Sequence, residues 1–107
     1  MGKERFHVRI GIVGLGYVGL VTAAVLANRG NSVMGVDVDV SRIQMLKSGK
    51  SPIFEPQLDE RIESAGDKLE FSTDYSKLSN CEVIFICVMD SRTFSGKFWV
   101  GNNIHIG

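Results

Sequence analysis

Nineteen consecutive residues, Ile10 to Asn28, carry no charge, and Gly11, Gly14, Gly16 and Gly19 all fall in the first half of that run. A stretch so long and so apolar has two general fates: a helix across a bilayer or a set of elements buried inside a globular domain. Each glycine in a helix interior costs about 1 kcal/mol relative to alanine. Four of them within nine residues disfavour a continuous helix. A buried strand, a tight turn and a buried helix account for the same run, and no membrane partner is expected.

The remaining elements follow from local signals. His7 to Val13 reads as a strand, with Val8, Ile10, Ile12 and Val13 β-branched, and it stops at Gly14. Tyr17 to Arg29 reads as a helix, and Gly30-Asn31 supplies its stop. Val33 to Val36 is a short second strand ending at Asp37. Asp39 or Ser41 can cap a second helix through Ile43, Leu46 and Lys47, ended by Gly49. Beyond the loop from Ser51, Pro56 suits the first position of a third helix, with Leu58 and Ile62 one turn apart and Gly66 after its end. Leu69 to Ser72 alternates as a strand, and Thr73 or Asp74 can cap a short helical turn through Leu78. Val83 to Val88 is an unbroken apolar run, the pattern of a strand covered on both faces. Met89 to Gly107 has neither a helical period nor a clear strand alternation and is expected to be irregular.

Strands alternating with helices predict right-handed crossovers and a parallel sheet. The expected fold class is therefore α/β: a Rossmann-like parallel sheet, partial, of about four strands in the order 3-2-1-4 with flanking helices.

Gly14-Leu15-Gly16-Tyr17-Val18-Gly19 has the spacing G-x-G-x-x-G. The spacing acquires meaning from its setting, because a strand precedes it and a helix opens within it. Gly14 permits the tight turn, Gly16 lets a diphosphate approach the backbone, and Gly19 lets helix and strand pack closely. Free N–H groups and the positive helix end then meet the anion. The lysine of a nucleotide-triphosphate loop is absent. A glycine-rich turn that serves packing alone is the competing reading.

Asp37 stands eighteen residues after Gly19, at the end of the second strand. A carboxylate there can accept both hydroxyls of an adenosine ribose. It also repels a 2′-phosphate, at a cost of about 3 kcal/mol for unit charges about 5 Å apart at an effective dielectric near 20. The cofactor expected is NAD rather than NADP. Asp37 as a plain strand-end turn residue is the alternative. Arg42 can lie over an adenine face, reach a phosphate or be an ordinary surface arginine.

The chain has 107 residues, enough for one domain and short for a complete dehydrogenase. A partial domain or a fragment of a longer protein is expected. Twelve Lys and Arg balance twelve Asp and Glu, so no basic excess points to nucleic acid. Cys81 and Cys87 flank one predicted strand at a spacing suited to neither a disulfide framework nor a zinc site. Free thiols in a reducing, cytoplasmic setting are expected, and the opening Met1-Gly2-Lys3-Glu4-Arg5 lacks a signal-peptide pattern.

The segment Ile10 to Leu20, ending Tyr17-Val18-Gly19-Leu20, resembles the opening of the UDP-glucose and GDP-mannose dehydrogenases. Asp37-Val38-Asp39 with Arg42-Ile43 is similar to that family's segment after its second strand. Gly49, then Pro52-Ile53-Phe54-Glu55-Pro56 and Leu58, resembles its Gly…Pro-Ile-Tyr-Glu-Pro-Gly-Leu stretch, with Gln57 in place of Gly. Thr73-Asp74 and the run Val83–Val88 continue the likeness, which covers about residues 8 to 88. After Val88 the family's Val-x-Thr-Pro is replaced by Met89-Asp90-Ser91, so the loop threonine that helps hold the cofactor has no match. The natural reading is expected to be lost there, by truncation, a frame change or a junction.

The resemblance implies residues 1–88 as the N-terminal part of an NAD-binding domain and 89–107 as a tail that does not match. It implies cofactor contacts at Gly14, Leu15, Gly16, Tyr17, Val18, Gly19, Asp37, Arg42 and Val88, with neither catalytic residue nor metal ligand in this chain. The family oxidises the sugar 6-hydroxyl to a carboxylate in two NAD-dependent steps, the second through a thiohemiacetal on a cysteine from a later domain. UDP-glucose is the substrate expected for the parent protein, which is expected to be a homo-oligomer, and the fragment alone is expected to be inactive. Neither Cys81 nor Cys87 matches the nucleophile, and Cys87 reads as a small core residue. His7 and His105 are lone histidines without a catalytic assignment. Glu55 reads as a helix-start carboxylate. Phe94, Phe98 and Trp99 are either a partner surface or part of a disordered tail. Two other functions use similar loops: a non-enzymatic NAD-sensing module and an S-adenosylmethionine methyltransferase. The Tyr-Val-Gly-Leu turn and the Pro-Ile-Phe-Glu-Pro loop argue against the methyltransferase.

Overall fold

The computed structural model describes residues 7–53, 55–87, 97–100 and 103–106. In chain order the elements are β1 (Arg9–Val13), α1 (Tyr17–Asn28), β2 (Ser32–Val36), α2 (Val40–Lys47), α3 (Pro56–Ala65), β3 (Leu69–Ser72), β4 (Val83–Ile86), β5 (Lys97–Val100) and β6 (Asn103–Ile106). Short 3-10 turns lie at Gly66–Lys68 and Tyr75–Asn80.

Local chemistry sets the helix limits. Asp39 caps α2 by accepting from the Arg42 N–H. Glu55 caps α3 by accepting from the Gln57 N–H, and Pro56 occupies the first turn, where a missing N–H costs nothing. After α1 the chain turns at Gly30, whose φ of 100° only glycine adopts freely.

The strands form one sheet in the order β3-β2-β1-β4-β5-β6. β1 pairs in parallel with β2 and β4, and β2 in parallel with β3, which gives the 3-2-1-4 Rossmann-like arrangement. Register places Ile10 opposite Val33 and Val83, and Ile12 opposite Gly35 and Phe85. Residues two apart on a strand share a face. Ile10, Ile12, Val33, Leu69 and Phe71 accordingly belong to one buried cluster with Leu20, Ala23, Ala24 and Ala27 of α1. Ile43 and Leu46 of α2 join it, as do Leu58, Ile62 and Ala65 of α3. α1 packs on both β2 and α3, and its alanines suit that close approach. Burying this cluster removes the apolar surface that makes the charge-free run insoluble on its own. Among the described residues no helix is long and apolar enough to cross a membrane.

Two expectations need correction. The run from Val83 was expected to be covered on both faces, yet all four residues of β4 are half-buried. The β3–β4 connection carries a 3-10 turn rather than an α-helix, and it brings Leu78 and Cys81 against the second face of the sheet. These two side chains lie against Gly11, where a Cβ would come within 2.6 Å of Leu78. The tail was expected to be irregular, but β5 pairs antiparallel with β4, and β6 with β5. Antiparallel pairing needs no crossover helix and satisfies the open backbone edge of β4. The overlooked signal is Gly101-Asn102, a hairpin-type dipeptide separating two four-residue stretches.

Candidate functional site

β1 ends directly beneath the glycine loop. Gly14 turns with φ 95°, and its N–H donates to Val36 O at 2.9 Å, tying the loop to the end of β2. Gly19 lies in the first turn of α1, where a Cβ would stand 1.8 Å from the Gly14 carbonyl oxygen. Its bare Cα is therefore a packing necessity. Gly16 differs: it precedes α1 with φ −74° and ψ −162°, an extended conformation open to other residues, and a Cβ there meets nothing within 4 Å. Neither backbone conformation nor internal packing requires glycine at 16. Approach of a ligand to the backbone would require it, so the packing-only reading covers Gly19 and leaves Gly16 unexplained.

No side chain caps α1 and no acid occupies its first turn. Its first N–H groups are thus left without a capping carboxylate, unlike those of α2 and α3. Open amides at the positive helix end, beneath an uncluttered Gly16, are the chemistry of an anion cradle.

Asp37 sits half-buried just past β2. Its Oδ2 accepts from the Leu15 N–H at 2.8 Å and its Oδ1 from the Asp39 N–H at 3.0 Å. Each carboxylate oxygen has capacity for a further donor, as two ribose hydroxyls would need. Arg42 donates from Nη1 to Leu15 O at 3.1 Å, and its Nε stands 3.9 Å from Asp39 Oδ2. The N–H and the C=O of Leu15 are thus held by opposite charges. Leu15 itself is fully buried, its methyls filling the space over Gly35, where a Cβ would come within 2.9 Å. Gly35 in β2 is the position that lets the loop lie down on the sheet.

Of the other expected contacts, Tyr17 is exposed and Val18 half-buried at the start of α1. Val88 lies outside the described residues, as does Phe54. Cys87 is half-buried, its N–H bonded to Val13 O at 2.7 Å. Burial pushes its thiol above the usual range, which disfavours the thiolate. Burial raises the Cys81 thiol as well, against a smaller opposing effect of Arg9. His7 is exposed and its ring covers Gly30. His105 lies on β6. Among the described residues no cluster of His, Cys, Asp or Glu is placed to hold a metal ion.

Two apolar residues that the sequence did not single out border Asp37. Val38 is 77% exposed and Tyr75 41% exposed. Asp37 N donates to Ser72 O at 3.2 Å, bringing the ends of β2 and β3 together just before Tyr75. Asp74 caps the 3-10 turn that carries Tyr75. Burial, and secondarily the Asp37 carboxylate, raise the Tyr75 phenol above its usual range. The signal legible in the sequence was an aromatic just after the third strand. A cavity of about 660 Å³ lies elsewhere, between the ends of α2 and α3 and the start of β3.

The sequence model of the UDP-glucose/GDP-mannose dehydrogenase family, NAD binding domain, matches residues 8–93. GDP-mannose 6-dehydrogenase of Pseudomonas aeruginosa is 44% identical over 96 residues, covering 87% of this chain and 22% of that protein. UDP-glucose 6-dehydrogenase of Bacillus subtilis is 44% identical over 82 residues, covering 74% of this chain and 19% of the relative. A solved ternary complex of GDP-mannose dehydrogenase from Pseudomonas aeruginosa superimposes with TM-score 0.73 at 40% identity, covering 80% of this chain and 21% of the other. The chain thus spans about a fifth of the length of the curated relatives it matches.

Proposed function

The chain belongs to the UDP-glucose/GDP-mannose dehydrogenase family, and we propose that it is the NAD-holding portion of a nucleotide-sugar 6-dehydrogenase. The observation that carries this reading is Gly16, a glycine open above the loop that the protein's own fold does not need. The residues present fit the cofactor. The open amides of the Gly14–Gly19 loop and α1 would take the diphosphate. The two oxygens of Asp37 would take the adenosine ribose. Val38 and Tyr75 offer apolar surface beside that ribose for the adenine. Bound NAD supplies a hydride acceptor for alcohol oxidation.

In the whole protein this portion would serve oxidation of the sugar 6-hydroxyl of UDP-glucose to the carboxylate of UDP-glucuronate, the nucleophilic cysteine coming from a later domain. Cys81 and Cys87 do not suit that role, because burial holds both thiols protonated. This chain by itself is accordingly a binder and not a catalyst.

Calorimetric titration with NAD, NADP and S-adenosylmethionine tests the reading. NAD should bind weakly, with a dissociation constant of about 1 mM, some 4 kcal/mol, and S-adenosylmethionine should not bind. Preference for S-adenosylmethionine would refute it. Tight NAD binding without an attached catalytic domain would favour a sensing module.

Asp37→Ala is expected to weaken NAD by about 2–3 kcal/mol, or 30- to 150-fold, since it removes two charge-assisted hydrogen bonds to ribose and the anchor of Leu15 N–H. Tyr75→Ala is expected to cost about 1–2 kcal/mol of NAD affinity, and Tyr75→Phe to retain it, because the ring face and not the hydroxyl covers the base. Undiminished affinity in Tyr75→Ala would remove Tyr75 from the site, and equal losses in both variants would assign the contact to the hydroxyl. The same calorimeter reads both.

A further inference from the structure

The charges at the end of β2 are more numerous than a ribose requires. Asp37, Asp39 and Arg42 converge within six residues. Asp37 holds the Leu15 N–H, and Arg42 holds the Leu15 C=O. The Arg42 guanidinium also faces Asp39, with Nε 3.9 Å from Oδ2. Asp39 Oδ1 meanwhile accepts the Arg42 N–H at 3.1 Å, so one carboxylate caps α2 and pairs with the guanidinium together.

A planar guanidinium next to an adenosine-binding carboxylate is the side chain best suited to a 2′-phosphate. Its presence would ordinarily weaken the preference for NAD that Asp37 imposes. Here Nη1 donates to Leu15 O, and the guanidinium is ion-paired with Asp39. We propose that Asp39 is a specificity-determining residue: by pairing with Arg42 it withholds the guanidinium from a 2′-phosphate, so discrimination against NADP rests on Asp39 as well as Asp37. This rests on the cofactor reading given above. The pair is only partly exposed on the arginine side, 29%, against 49% for Asp39, so rearrangement toward an incoming phosphate is sterically open.

Two conservative substitutions separate this from simple repulsion. Asp39→Asn retains an oxygen to cap α2 and loses the charge. Arg42→Gln retains a donor for Leu15 O and loses the charge. NAD and NADP are titrated against the unaltered chain, the two single variants and the double variant, with NADP measured by competition against NAD. The expected result is that Asp39→Asn shifts the NADP-to-NAD affinity ratio toward NADP by about five- to tenfold when Arg42 is present. In the Arg42→Gln background the same change should move the ratio by less than about twofold, the coupling that a double-mutant cycle isolates. An equal shift in both backgrounds would overturn the proposal in favour of direct repulsion by Asp39, and no shift in either would overturn it outright. If the unaltered chain does not bind NAD, the cofactor reading fails and the proposal with it. If it binds NAD and the ratio shows no coupling, only the proposal fails.

Discussion

Gly16→Val is expected to abolish measurable NAD binding, a loss of at least about 100-fold or 2.7 kcal/mol, while leaving the fold intact. The two halves of that expectation have separate causes. In the free protein a Cβ at 16 finds open space within 4 Å, and φ −74° is available to any L-residue. The structural cost is confined to the helix start, where valine caps less well than glycine, by less than about 1 kcal/mol. In the proposed complex the same side chain would occupy the approach of the diphosphate to the loop amides. Hydrogen bonds to an anion fall away steeply with distance, so a branched side chain cannot be accommodated by a small shift. Thermal unfolding and NAD calorimetry on one sample check both halves. Undiminished binding would show that the anion does not approach Gly16, and a collapsed melting temperature would show that glycine at 16 is required by packing.

Much of the fold was legible because its local signals agree with one another. Pro56 and Gly66 bracket α3, Asp39 starts α2, and the β-branched run to Val13 gives β1, each by chemistry internal to a few residues. The glycine loop was legible for the same reason, its glycines marking a strand–helix junction in sequence as in space. What escaped notice depends on contacts between segments distant in sequence. The pairing of β5 with β4 supplies an edge partner that a search for alternation within Lys97–Val100 could not find. β4 is half-buried, whereas its apolar run pointed to burial on both faces. Arg42 had three roles open to it in the sequence. Its bond to Leu15 O, twenty-seven positions away, is a contact that spacing alone could not suggest. Tyr75 drew no attention because nothing local places it beside Asp37; the bond from Asp37 N–H to Ser72 O does.

Gly19→Ala belongs to the same motif and is expected to fail in the opposite way, by loss of stability. Alanine is the better helix former by about 1 kcal/mol, and on propensity alone the substitution in α1 would stabilise. The added methyl, however, would lie 1.8 Å from the carbonyl oxygen of Gly14 and 3.3 Å from Cys87 Cβ. The first contact is with backbone, which cannot rotate aside as a side chain does. Relief requires α1 to lift from the end of β1, and Leu20, Ala23 and Ala24 are fully buried along that helix. Lifting it opens the cluster they share with Ile10, Ile12 and Leu58. Overpacking of this kind costs about 3 kcal/mol or more even after the propensity gain. For a domain of this size that lowers the melting temperature by roughly 12 °C or more. Thermal unfolding followed by circular dichroism measures it. A melting temperature within about 3 °C of the unaltered chain would mean that the loop and α1 are less tightly apposed than the bare Cα of Gly19 implies, and the cradle with them.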